Sequence, residues 1–215
     1  MNRLISFSLC LCVLLTGCTG TKPAEVPPAT VDVLIDPGHG GFDGGAVAAD
    51  GTEEKHINLS ISLVLRDLLQ VCGVSVIMTR ETDQALSTNK SGDMQARLAL
   101  YQQSKAVISV HQNQFSVPKY AGTQVFYSGN HSRSQTLARA VQLAVQSTLQ
   151  PENHREIKKA TDGIYLLHHA TVPSVLVECG FLSNPEEREQ LKSPDYQQKM
   201  AFAIAMGYWN EKTMK

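Results

Sequence analysis

Four residues of this 215-residue chain are of types that hydrolyse a bond at a metal ion. His39 sits inside the run Asp36-Pro37-Gly38-His39-Gly40-Gly41, and Glu54 follows fifteen positions later. His111 follows the apolar run Ala106 to Val110, and Glu178 follows the largely apolar run Val172 to Val177. Two histidines and one carboxylate make a standard shell for a catalytic zinc ion and leave a position for water. Such an ion renders its water acidic enough to supply hydroxide near neutral pH. A further carboxylate must then take up the proton and pass it to a leaving group, and Glu178 is the candidate. Each residue alone has a plainer reading. A loop histidine is commonly a surface residue, and a glutamate at a helix start commonly complements the helix dipole. The set of four, each at the end of an element, points to the chemistry.

Those positions need elements to bring them together. Val31, Val33, Leu34 and Ile35 read as a buried strand that breaks into a glycine turn around His39. Glu54 to Val71 reads as a helix with an apolar stripe at Ile57, Ile61, Leu65 and Leu68, closed by Gly73. Glu54 shares the face of Ile57, Asn58, Ile61 and Leu65 and so points at the sheet, while Glu53 is turned about 100° away. Further strands are expected at Val74 to Met78, Ala106 to Val110, Gly122 to Tyr127 and Val172 to Val177. Further helices are expected at Asp93 to Gln103, Ser132 to Leu149, Pro185 to Leu191 and Pro194 to Glu211. This alternation predicts an α/β fold, a single domain with a mostly parallel central sheet flanked by helices. Parallel strands end on one edge, which would gather His39, His111 and Glu178.

Composition narrows the partners. A net charge of -1, no basic block and 6% aromatic residues argue against nucleic acid. The start of the chain reads as an export signal: Arg3, then a mostly apolar segment from Leu4 to Leu15, too short to span a bilayer comfortably. It ends in Leu15-Thr16-Gly17-Cys18, which resembles the bacterial lipobox. Residues 1–17 are therefore expected to be a lipoprotein signal peptide, with Cys18 as the lipid anchor. Residues 18–30, with Pro23, Pro27 and Pro28, are expected to be a tether, and residues 31–213 the catalytic domain. The expected location is the outer face of the bacterial cytoplasmic membrane, after export. Cys72 and Cys179 do not make a disulfide framework and are expected as small apolar core residues. His56 lies off the inward stripe, His131 precedes a helix, His154 is in a polar loop, and His168 and His169 are expected on the surface.

The motifs around these residues carry a resemblance. Asp36-Pro37-Gly38-His39-Gly40-Gly41, Glu54-Lys55 with Asn58-Leu59, Ser109-Val110-His111-Gln112-Asn113, and Val177-Glu178-Cys179-Gly180-Phe181-Leu182-Ser183-Asn184 are similar to those of the zinc-dependent N-acetylmuramoyl-L-alanine amidases. The resemblance covers roughly residues 31–210. It implies hydrolysis of the amide joining N-acetylmuramic acid to L-alanine in peptidoglycan. It implies Zn2+ held by His39, Glu54 and His111, Glu178 as catalytic acid and base, and an activating protein partner. Gln114 stands where the family usually has alanine, and Tyr101-Gln102 where an Ala-Asn pair is common; both departures would bear on substrate fit. The run Asp162 to Leu167 resembles compact amidases that trim spore cortex, and the chain leaves no room for the inhibitory helix of division-type relatives. A zinc carboxypeptidase shares the chemistry, but its first histidine and glutamate lie close together. A wall-binding lipoprotein without catalysis would usually have lost one of the four residues.

Overall fold

The computed structural model describes residues 31–213, so the expected signal peptide, Cys18 and the whole of the tether lie outside the described residues. Strand β1 (Val33–Pro37) is buried at every position. It pairs in parallel with β2 (Val76–Met78) on one side and β3 (Val107–Asn113) on the other. The sheet continues through β6 (Ser174–Phe181), β4 (Gln124–Tyr127) and β5 (Lys158–Lys159), in the order β2-β1-β3-β6-β4-β5. All neighbours are parallel except β4 against β6. The expected mostly parallel sheet is therefore present, with β4 and β5 at one side running opposite to the other four strands.

Helices cover both faces. Helices α1 (Glu54–Val71), α3 (Ser132–Thr148) and α6 (Pro194–Thr213) pack one face around Val33, Ile35, Ile108, Val175 and Val177. Helices α2 (Lys90–Tyr101) and α4 (Tyr165–His169) cover Leu34 and Val107 on the other. Short α5 (Pro185–Lys192) follows β6, its start capped by the Asn184 side chain. Alternate residues of β1 thus enter different cores, as the period of a strand requires.

Several boundaries differ from expectation for local reasons. Strands β3 and β6 do not stop at His111 and Glu178. They pair with one another beyond these residues, and His111 lies opposite Glu178 in register. Helix α2 starts at Lys90 because the Asn89 side chain accepts from Gly92 N, capping the helix before Asp93. On α1 it is Leu69 that enters the core, and Leu68 is only partly buried. Cys179 is buried, but Cys72 is exposed just past α1, which corrects its expected place in the core.

Helix α6 crosses α3 where Gly207 meets Val141, and a Cβ at Gly207 would overlap the Val141 backbone. Backbone cannot yield as a flexible side chain can. Gly207→Ala is expected to destabilise the domain by about 1–3 kcal/mol, read as a lower urea midpoint at unchanged slope. An unchanged midpoint would mean that the helices do not meet there.

Candidate active site

The turn after β1 carries His39 in the left-handed backbone region, at φ 63°, unusual for a residue with a side chain. Buried cations hold it there. Arg97 Nη1 donates to Asp36 Oδ1 at 2.6 Å and to the Pro37 carbonyl at 2.9 Å, and its Nη2 donates to the His39 carbonyl at 2.6 Å. Arg80 Nη2 donates to the Gly38 carbonyl at 2.9 Å and to the Lys55 carbonyl at 2.8 Å. Lys55 Nζ donates to the Gly41 carbonyl at 2.9 Å and pairs with Asp83. The loop's carbonyls thus face inward onto charged donors, and His39 is turned toward α1.

Glu54 stands in the first turn of α1, buried as its helix face predicts. Its Oε2 lies 3.2 Å from His39 Nε2 and accepts from Ala46 N at 2.9 Å. Its Oε1 lies 2.9 Å from His111 Nδ1 and accepts from Gln112 N at 3.0 Å and Asn58 Nδ2 at 3.1 Å. One nitrogen from each histidine and one glutamate oxygen all lie within 4.8 Å of one another. Burial pushes the Glu54 carboxyl up, but the hydrogen bonds to His111 and His39 outweigh it, and the group is held far below the usual carboxylate range. It is an anion at any working pH.

The donor chemistry fits a divalent metal. Two imidazole nitrogens and an ionised carboxylate are ligands that zinc prefers. His39 Nδ1 lies 3.0 Å from Asp43 Oδ2, the outer carboxylate that orients a ligating histidine. The cradle is also tight. A Cβ at Gly38 would overlap the His111 ring, and one at Gly45 would overlap Glu54 and His39.

Glu178 approaches from β6, opposite His111. Its Oε2 is buried without a hydrogen-bond partner, an exception that calls for a functional explanation. Burial raises its carboxyl to about 7, with the His111 and Glu54 charges acting in opposite senses. The structure therefore brings His39, Glu54, His111 and Glu178 to one edge, and Cys18 lies outside the described residues. The other histidines stand elsewhere: His56 pairs with Glu53, His131 caps α3, and His168 and His169 are exposed on α4. Tyr101 corrects an expectation. It does not bear on substrate fit, because it is fully buried beneath the sheet and its hydroxyl donates to Asp36 Oδ2 at 2.7 Å.

An α/β domain that gathers this imidazole and carboxylate set at one edge of its sheet has the arrangement of a metal-dependent hydrolase. The chain matches the model of the family described as N-acetylmuramoyl-L-alanine amidase over residues 33–208, and it belongs to that family. It is 39% identical over 204 residues to the germination-specific N-acetylmuramoyl-L-alanine amidase of Bacillus subtilis, across 89% of this chain and 85% of that one. It is 30% identical over 219 residues to the N-acetylmuramoyl-L-alanine amidase AmiA of Salmonella typhimurium, across 81% of this chain and 74% of that one. Among solved structures, the CwlD amidase of Clostridioides difficile, determined in complex with the GerS lipoprotein, superposes with a TM-score of 0.81 at 36% identity. That match covers 86% of this chain and 100% of that one. Family membership sets the carboxypeptidase alternative aside.

Asp36 makes stability depend on pH. Burial opposes its ionisation, but Arg97, Tyr101 and Thr79 outweigh burial and lower its carboxyl to about 2. The folded value lies below the unfolded one, so its contribution is full above about pH 4 and is lost as pH falls toward 2. The amount is about 2 kcal/mol. Asp36→Asn is expected to be destabilised by about 3–5 kcal/mol at neutral pH, because Arg97 loses its buried partner. Its unfolding free energy should vary less between pH 4 and 2 than that of the parent. Equal pH dependence in the two proteins would remove Asp36 as the source.

Proposed function

We propose that the chain is a zinc-dependent amidase that cleaves the bond between the lactyl group of N-acetylmuramic acid and the L-alanine of the peptidoglycan stem. The observation that carries this reading is the unpartnered Oε2 of Glu178, shielded from water beside the His39, Glu54 and His111 set. His39 through Nε2, Glu54 through its carboxylate and His111 through Nδ1 would hold Zn2+. The ion supplies there a Lewis acid for the amide carbonyl and lowers the pKa of water.

The chain's own residues do the rest. Glu178, with a carboxyl poised near 7, takes a proton from the attacking water and gives it to the departing amino group of L-alanine. Glu54 cannot share that role, because its carboxyl is held ionised by both histidines. Asp43 holds His39 through Nδ1 and so leaves Nε2 turned toward Glu54, where it would be free to bind the ion. The backbone amides of Ala46 and Gln112 fix the Glu54 oxygens.

The germination-specific relative supports spore cortex as the site of action. The complex of the Clostridioides amidase with a lipoprotein supports a protein partner for this chain as well. The lipobox resemblance at Cys18 supports an exported enzyme anchored on the outer face of the cytoplasmic membrane.

Incubation with purified sacculi is expected to release new L-alanine amino termini. Glu178→Gln should keep its zinc and its fold yet lose about 10²–10⁴ of the rate, whereas Glu54→Gln should lose zinc first. If Glu178→Gln loses the metal while Glu54→Gln keeps it, the two roles are exchanged. Release of D-alanine alone would make the enzyme a carboxypeptidase. Separately, Cys18→Ala should leave the membrane fraction or remain unprocessed, since stable attachment needs more than one acyl chain. A variant that fractionates and migrates like the parent would exclude Cys18 as the anchor.

A further inference from the structure

The outer side of α6, with the end of α1 beside it, is apolar where polar residues would be expected. At the end of α1 Val71 is 89% exposed, and from the middle of α6 onward Phe202 is 52% and Trp209 41% exposed. Phe202 and Trp209 line a groove of about 290 Å³ together with Leu68, Cys72 and Met206, and Val71 precedes Cys72 at the end of α1. Lys212 Nζ lies 5.8 Å from the centre of the Trp209 ring, so a cation borders the apolar strip.

The chain enters the domain at this same edge. Asp32 N donates to the Ser75 carbonyl, just past the end of α1. Lys105 N donates to the Val31 carbonyl, and the Lys105 carbonyl accepts from Arg133, which is paired with Glu211 one turn from the end of α6. Val31 therefore lies at the end of the sheet toward which the C-terminal ends of α1 and α6 run. The strand that begins here, β1, leaves the sheet at the opposite edge, beside His39.

We propose that this strip rests on the lipid surface to which the chain is anchored, so that the catalytic edge faces away from the membrane and into the wall. The inference rests on the anchor at Cys18. Twelve residues separate Cys18 from Val31, a reach of about 40 Å when extended. An anchor that far from the domain along the chain does not by itself fix which face meets the lipid. The strip has what an interfacial contact needs: a Trp, a Phe and an aliphatic side chain beside a lysine, the pairing found where acyl chains meet anionic headgroups. Among the described residues no helix is long and apolar enough to cross a membrane, so the contact is peripheral. Three protruding side chains are also too little for a second copy of the chain, because a stable interface takes about 800 Å² from each partner.

Trp209 is the chain's single tryptophan and reports directly on the strip. The full lipidated protein is to be reconstituted on phosphatidylglycerol and phosphatidylethanolamine vesicles, with and without bromine in the acyl chains. The expected result is co-sedimentation with loss of Trp209 emission in the brominated vesicles only. Val71→Asp, at the most exposed position, should restore the emission while sedimentation and amidase rate stay unchanged. Phe202→Asp should do the same. Co-sedimentation without quenching would overturn the docking contact and leave the anchor standing. Failure to sediment would overturn the anchor and the docking contact together. Absence of quenching with a concentration-dependent dimer would reassign the strip to a second copy.

Discussion

A buried ion cluster beneath the first loop is the constraint on which the site depends. Asp36 is fully buried, and each of its oxygens is satisfied: Thr79 and Arg97 donate to one, Tyr101 and Ser109 to the other. Burying charge is costly unless its hydrogen bonding is complete, so such a cluster tolerates few arrangements. Arg97 spends its remaining donors on the Pro37 and His39 carbonyls and on Asp93. Arg80 joins the Gly38 carbonyl to the Lys55 carbonyl in the first turn of α1. The loop that carries His39 and the helix that carries Glu54 are thereby tied through one guanidinium. That is what keeps a non-glycine residue in a left-handed conformation and aims its ring at Glu54.

Above this base, two carboxylates are pushed in opposite directions. Glu54 is surrounded by donors and stays ionised. Glu178 has a desolvated oxygen with no donor, and its carboxyl rises to about 7. A divergent pair of this kind separates a ligand role from an acid and base role. The separation comes from position: Glu54 sits on a helix facing the amides of Ala46 in the loop and of Gln112 on β3, whereas Glu178 sits within a strand whose own amides serve the sheet.

Much of this was legible in the residues. The helical spacing of Glu54, Ile57, Asn58, Ile61 and Leu65 placed Glu54 on the sheet face, and the apolar runs before His111 and Glu178 located one edge. The supporting charges were not legible. Arginine is ordinarily a surface residue, and nothing local to Arg97 shows that it will pair with Asp36, 61 positions away. Asp43 was equally silent, since its role depends on a loop that folds back on His39. The two-residue β5 and five-residue α4 are too short to leave a periodic signal. Strands β3 and β6 outlast their apolar runs because they pair with each other across the site, a tertiary effect.

In the proposed amidase this preorganised edge holds one ion with His39, Glu54 and His111 and keeps Glu178 outside the shell. Diffraction from crystals of the zinc-loaded protein, recorded on both sides of the zinc absorption edge, tests it most directly. One anomalous peak per chain is expected, about 2.0–2.2 Å from His39 Nε2, His111 Nδ1 and a Glu54 oxygen, with Glu178 beyond bonding distance. A peak ligated by Glu178, or one elsewhere on the molecule, would contradict it.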